Sequence, residues 1–325
     1  MKDLIDVHKQ PQNFHRQLFY RSYFEGWYYK QVTKDMKNTI SFIPGVSFSK
    51  HGCKSFIQCI HLDANNEIKT YNIDYKITDF KYCDNPFNVW VSNSSFDMTG
   101  ISININSRQL RANGKINFKD ITSIRATLLN PNIMGFFSYI PFMQCNHGVL
   151  SMNHSLIGEI NINGNKIIFT GGKGYIEKDW GRSFPKKYVW IQSNHFSNPT
   201  LSLFCSIAHI PFGVTEFTGF ICNLTFGNKE YRFATYNNSR LVINKTNKKQ
   251  MCEEVYIVMT NSKYTLQIKA KLDKSSKLIA PNMGAMNKNI KEGLGGCVSI
   301  RLSNSKGNII LEDKSLKAGI EIVNT

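Results

Sequence analysis

The chain has 325 residues, of which 42% are hydrophobic and 12% aromatic, enough for a real core and too much for a disordered chain. A net charge of +17 and a pI near 9.5 favour acidic partners: an anionic membrane surface, nucleic acid or an anionic ligand. The eight Cys form no CxxC pair, the opening MKDLIDVHKQPQNFHRQ has no apolar signal region, and no run reaches about 18 apolar residues. A reduced, cytoplasmic protein without a transmembrane helix is therefore expected.

Residues 1–20 are polar and basic and read as an arm. The first strand is predicted at 23–32, YFEGWYYKQV, where aromatic and β-branched residues surround Gly26. Strands are then predicted at 39–48, 53–62, 68–75, 88–92, 99–106 and 109–118, separated by turn residues such as Asp84-Asn85-Pro86 and Ala112-Asn113-Gly114. Residues 129–148 look irregular. Strands resume at 155–162, 166–176, 188–194, 201–209, 217–226, 230–236, 253–260, 263–272, 296–302, 308–312 and 318–322. The Lys- and Asn-rich residues 244–249 read as a solvated loop, and the best helix candidate is a short piece within 276–292. Short strands at roughly ten-residue spacing predict an all-β barrel or sandwich fold, and the length suggests two, at 21–150 and 151–325.

Residues 171–196, GGKGYIEKDWGRSFPKKYVWIQSNHF, are the densest chemical stretch. Strand alternation places Tyr175, Glu177 and Asp179 on one face and Ile176, Lys178 and Trp180 on the other. In the following strand Tyr188, Trp190, Gln192 and Asn194 share a face. Two acids could thus line a wall near two aromatics and two amides. A carboxyl partly stripped of water can serve as a general acid near neutral pH. The structural alternative is that these acids pair with Lys178, Arg182 or a partner elsewhere. Glu25 shares its face with Trp27, Tyr29 and Gln31; it points into a lumen or pairs at a strand edge.

His51, Cys53, Cys59 and His61 have metal-ligand chemistry but fall along one predicted strand. At about 3.3 Å per residue they are too spread to share an ion, so no metal site is expected. His147, His154, His195 and His209 are scattered. No GxGxxG, P-loop, GxSxG or HExxH occurs, and no nucleic-acid motif accompanies the charge. Phe136, Phe137, Tyr139, Ile140, Phe142 and Met143 form an apolar loop, read as core or as a rim that meets a membrane or admits a lipid-like ligand.

YFEGWYYK at 23–30, IPFMQCNHGVLSMNHSLIGEI at 140–160, GKGYIEKDWGRSFPKKYVWIQSNHF at 172–196 and the Gly-rich 293–301 resemble the tocopherol cyclase family. The resemblance implies two lipocalin-like antiparallel β-barrels in tandem with few short helices. It also implies cyclisation of a prenylated hydroquinone to a chromanol, an isomerisation that needs no metal or redox cofactor. An acid protonates a trisubstituted alkene and the phenol oxygen closes the ring. On this reading Asp179 or Glu177 is the acid, with Glu25 the alternative. Trp27, Tyr29, Tyr175, Trp180 and Trp190 line the site, and Gln192, Asn194 and His195 position polar groups. The implied partner is a hydrophobic small molecule, a prenyl quinol or isoprenoid lipid; the net charge and the apolar loop, not the resemblance, raise peripheral contact with an anionic membrane. A non-catalytic lipocalin-like carrier is the alternative.

Overall fold

A computed structural model describes residues 10–15, 22–128, 130–140, 143–212, 215–249 and 252–324. Apart from residues 10–15, the expected basic arm at 1–20 lies outside them. The described residues are nearly all strand, with two short 3₁₀ turns at Ile77–Asp79 and Gly135–Tyr139. None of their helices is long and apolar enough to cross a membrane.

The first sheet contains β1 (Tyr23–Val32), β2 (Thr39–Ser49), β3 (Gly52–Leu62), β4 (Ile68–Lys76), β5 (Phe80–Asp84) and β6 (Phe87–Val91), followed by β7 (Ser94–Asp97), β8 (Gly100–Asn106), β9 (Arg111–Thr122), β10 (Cys145–Ile162), β11 (Asn165–Ile168) and β12 (Lys173–Gly181). Its order is β4-β3-β2-β1-β12-β10-β9-β8-β7-β6-β5, with β11 on β10. Neighbours are antiparallel and mostly adjacent in sequence; the long-range closure is β1 against β12.

The second sheet contains β13 (Tyr188–Ser193), β14 (Leu201–Phe212), β15 (Thr215–Phe226), β16 (Lys229–Ala234), β17 (Arg240–Lys249), β18 (Cys252–Thr260), β19 (Tyr264–Leu272), β20 (Ser276–Asn282), β21 (Ala285–Asn304) and β22 (Ile309–Val323). Its order is β16-β15-β14-β13-β22-β21-β19-β18-β17, with β20 on β21.

Each sheet wraps its own apolar core, as two antiparallel barrels require. Alternate residues of β1, β2, β3 and β12, such as Trp27, Tyr29, Phe42, Ile57 and Ile176, fill the first. Val189, Ile191, Leu203, Cys205, Leu266 and Ile300 fill the second.

Four sequence expectations are corrected. The chain divides into one unit that runs to Phe184 and includes Ile279–Asn289, and a second formed by Pro185–Leu278 and Ile290–Thr325. The expected boundary at 150 falls inside β10, which is held by β9 and β12. The strand predicted at 166–176 is broken, because Gly171, at φ 81°, turns the chain between β11 and β12. Residues 244–249 are part of β17, an edge strand of the second sheet, where Lys245 discourages further pairing.

Residues 276–292 hold no helix. Met283 and Gly284 both take positive φ, 49° and 77°, the pattern of a two-residue hairpin turn between β20 and β21. Gly284 is further required because a Cβ there would lie 1.9 Å from the Phe48 carbonyl oxygen. The tip is fastened within the first unit. Gly284 N–H donates to Arg182 O at 2.7 Å, and Ser47 Oγ donates to Gly284 O at 2.6 Å.

Candidate active site

β12 is paired on both sides, with β1 and with β10, so its side chains are aimed by two neighbours. Alternation holds as expected: Ile176, Lys178 and Trp180 face the barrel interior, and Tyr175, Glu177 and Asp179 face the other way. Each face carries a distinct charged cluster.

Inside the barrel, Glu25 and Lys178 form an ion pair with both side chains fully buried. They sit diagonally across the β1–β12 ladder, where Glu25 opposes Trp180 and Trp27 opposes Lys178. The Lys178 ammonium also lies 4.7 Å from the Trp27 ring centre and 4.9 Å from that of Trp180. Burial pushes the lysine down to about 8, against the opposing charge of Glu25. Burial likewise raises the Glu25 carboxyl, with Lys178 opposing.

The oxygens of Glu25 are nonetheless well used. They accept from His15 N–H at 2.9 and 3.2 Å and from Tyr23 Oη at 2.7 Å, besides Lys178. Lys178 also donates to Asn13 O, and Trp27 Nε1 donates to Gln12 O at 2.8 Å. The ring of Phe14 packs on Phe80 at 5.1 Å, and His15 lies 4.4 Å from Trp180. Glu25 points inward as one of its two readings proposed. There it acts with Lys178 as a latch that ties residues 12–15 over the barrel.

On the outer face the arrangement is different. His147 of β10 stands directly opposite Asp179 in the strand register. Its Nδ1 lies 2.6 Å from Asp179 Oδ1, and its Nε2 lies 3.4 Å from Glu177 Oε2. Tyr175 Oη in turn donates to the same Glu177 oxygen at 2.5 Å. The result is a linked cluster Tyr175–Glu177–His147–Asp179, whose two ends are hydrogen bonds and whose Glu177–His147 link is an ion pair. Tyr175 is fully buried, and side-chain exposure rises from 6% at Glu177 to 14% at His147 and 21% at Asp179. Burial works against a charged imidazole, but Asp179 and Glu177 together outweigh it and lift His147 to about 10. Near neutral pH the cluster is an imidazolium held between acids.

Ligand-type atoms of His147, Glu177 and Asp179 lie within 4.8 Å of one another, a spacing that a metal ion could use. Both ring nitrogens face carboxylates, so the same three groups can share a proton when no ion is held between them.

Of the other expected site residues, Trp27 and Trp180 flank Lys178, and Tyr29 is a core residue stacked near Phe118 at 6.2 Å. Tyr175 joins the acid cluster. Trp190 and Gln192 lie on β13, which pairs with β14 and β22 and not with β12; Asn194 and His195 follow that strand. All four belong to the second unit. Cys53, Cys59 and His61 lie along the single strand β3, with Cys59 in the core. In the sequence His147 is one of several scattered histidines. Its signal is register, which is visible only in the pairing of β10 with β12.

The profile of the family described as tocopherol cyclase-like matches residues 121–323, more than half of the chain. A probable chloroplastic tocopherol cyclase of Oryza sativa subsp. japonica is 25% identical over 109 residues, which is 32% of this chain and 23% of that protein. The aligned part thus spans about a quarter of that relative. Among solved structures, CghA with Sch210972 superposes with a TM-score of 0.57 at 5% identity, over 93% of this chain and 89% of that one. A putative AttH from Nitrosomonas europaea gives 0.56 at 11% identity, over 95% and 94%. Kievitone hydratase from Nectria haematococca gives 0.53 at 10% identity, over 94% and 89%. At these identities the structures share the fold alone.

Proposed function

The chain belongs to the tocopherol cyclase-like family, and on that premise we propose that it is an enzyme that adds a proton and an oxygen nucleophile across a prenyl-type double bond. Cyclisation of a prenylated hydroquinone to a chromanol is the reaction to test first. The observation that carries this reading is the Tyr175–Glu177–His147–Asp179 cluster, which ends in its most exposed member, Asp179.

A proton moves from His147 Nδ1 to Asp179 Oδ1 along their 2.6 Å hydrogen bond. Asp179 passes it to the alkene carbon that leaves a tertiary cation. The phenol oxygen attacks that cation, and its proton returns to the cluster, restoring the imidazolium. One C–H and one C–O bond form, the O–H bond and the alkene π bond break, and the proton count closes without a co-reactant. Glu177 holds the far side of the imidazole, and Tyr175 holds Glu177, so the ring keeps one orientation throughout. Glu25 has no part in the step, since its oxygens are engaged by the latch.

Peripheral contact with an anionic membrane is the proposed route to such an apolar substrate. It is supported by the net charge of +17 and by exposed Leu128, Phe136 and Tyr139.

The experiment is incubation with prenylated hydroquinones, with product detected by chromatography and mass spectrometry. A cyclase gives a product of unchanged mass in H₂O and one added deuterium at carbon in D₂O. Recovery of bound but unaltered quinol would instead mark a carrier.

A further inference from the structure

Three same-face neighbours of β1 define a gap beside Asp179. Trp27 and Tyr29 point into the barrel, so Phe24, Gly26 and Tyr28 present the opposite face, that of Tyr175, Glu177 and Asp179. Tyr28 confirms this face by its ring contact with Tyr175 at 6.5 Å. Gly26 stands directly opposite Asp179 in the ladder, Tyr28 opposite Glu177 and Phe24 opposite Gly181. On the other side Gly26 opposes Gly45, and there the space is taken. A Cβ on Gly45 would lie 2.5 Å from Phe56 Cζ, so the Phe56 ring occupies that position.

Gly26 itself is not filled. A Cβ there would meet only Ile43 Cγ2 at 3.6 Å and Pro44 O at 3.8 Å, both ordinary contacts. Its φ also lies outside the left-handed region, so neither packing nor backbone requires a glycine here. Glycine within a strand weakens it and often marks a close approach by another group. The gap has Asp179 on one side, Phe24 and Tyr28 along the strand on two others, and Ile43, with Phe56 beyond it over Gly45, toward β2.

We infer that this gap over Gly26 is the subsite that takes the reacting alkene end of an apolar substrate, and that the missing side chain at position 26 sets how bulky that end can be. The inference rests on the proton-transfer reading above. The chemistry suits the place. The carbon to be protonated must approach the Asp179 carboxyl, and the tertiary cation that results is steadied by aromatic faces. A side chain at position 26 would stand between Asp179 and that carbon.

The test compares Gly26→Ala and Gly26→Val with wild type and with Asp179→Asn, using prenylated hydroquinones whose terminal alkene carries methyl or bulkier groups. Circular dichroism and Tm report folding; Gly26→Ala should keep or raise Tm. The expected result is a fall in kcat/KM of about 10- to 100-fold for Gly26→Ala, deeper for Gly26→Val and steeper for bulkier alkenes. If Asp179→Asn is inactive while both Gly26 variants match wild type, the subsite is overturned and the proton-transfer reading survives. If Asp179→Asn retains full activity, both fall. If wild type turns over none of these quinols, their binding is read by quenching of Trp fluorescence. Binding lost in Gly26→Val but kept in wild type supports the subsite, and equal binding or none in wild type overturns it.

Discussion

Asp179 and His147 stand opposite one another on β12 and β10, and their side chains meet at 2.6 Å. Two paired strands therefore fix the contact, with no mobile loop between them. A rigid base for a short charged hydrogen bond is what proton transfer in a repeating cycle needs. Replacement of either residue should leave the ladder intact, because both lie on the outer face of the barrel. Asp179→Asn and His147→Gln are each expected to lower kcat about 10²- to 10⁴-fold, the usual worth of a positioned acid or base. Tyr175→Phe should cost less, because Tyr175 reaches the cluster only through Glu177. Steady-state turnover of a prenylated hydroquinone, with Tm as the folding control, measures all three. Equal activity in Asp179→Asn and wild type would remove Asp179 from the chemistry.

His147 should also make stability depend on pH at the alkaline end. Its pKa is about 10 in the folded chain against an ordinary value of 6.5. A raised value means that the folded state binds the proton more tightly than the unfolded one. The contribution is fully present below about pH 6.5 and is lost as pH rises through about 10. Urea unfolding of wild type and His147→Gln across pH 6 to 10 should show the wild-type advantage shrinking steadily. A difference that does not change with pH would mean that the imidazole is neutral in the folded protein.

Much of this was legible locally. A strand has a period of two, so the split of Tyr175, Glu177 and Asp179 from Ile176, Lys178 and Trp180 followed from spacing alone. Glu25 could be aimed into a barrel for the same reason. What spacing cannot give is partnership between distant strands. The β1–β12 ladder joins residues about 150 positions apart, and nothing near Gly26 announces Asp179. Hence β12 could be read as continuous with the second barrel, with Trp190 and Gln192 as neighbours of its acids. The hairpin at Met283-Gly284 was missed for a related reason. A non-glycine residue at positive φ leaves no clear mark in sequence, whereas Asn163-Gly164, both also at positive φ, carries the Asn-Gly pair that marks such a turn.

The buried latch predicts an asymmetry between single and double replacements. Glu25→Gln or Lys178→Met alone strands one charge in a fully buried place, at a cost of about 3–5 kcal/mol. The double variant removes both charges and should recover a substantial part of that loss. Each single variant should also expose residues 10–15 to protease, since His15 N–H and Asn13 O bond to this pair. Chemical denaturation and limited proteolysis read the two effects. If the double variant is as unstable as the sum of the singles, the two side chains do not act as a pair.

A second histidine should set the acid limit. His154 lies in the first barrel, with Nδ1 2.9 Å from Ser151 Oγ and its ring 4.3 Å from Phe118. Its Nε2 is pressed toward Gly174, where a Cβ would fall only 2.1 Å away. The ring therefore has no room for a charged partner on that side, and burial lowers its pKa from 6.5 to about 3. The unfolded chain takes up a proton near pH 6.5 that the folded chain refuses. Stability from this group is whole above about 6.5 and declines as pH falls toward 3, by up to about 1.4 kcal/mol per pH unit. His154→Phe keeps an aromatic ring against Phe118 and cannot titrate, and Ser151 Oγ can still donate to Asn153 O at 3.1 Å. Unfolding free energies measured from pH 7 to 4 should fall less steeply in the variant than in wild type. Parallel slopes would show that His154 is already protonated, or that it opens to solvent, in the folded chain.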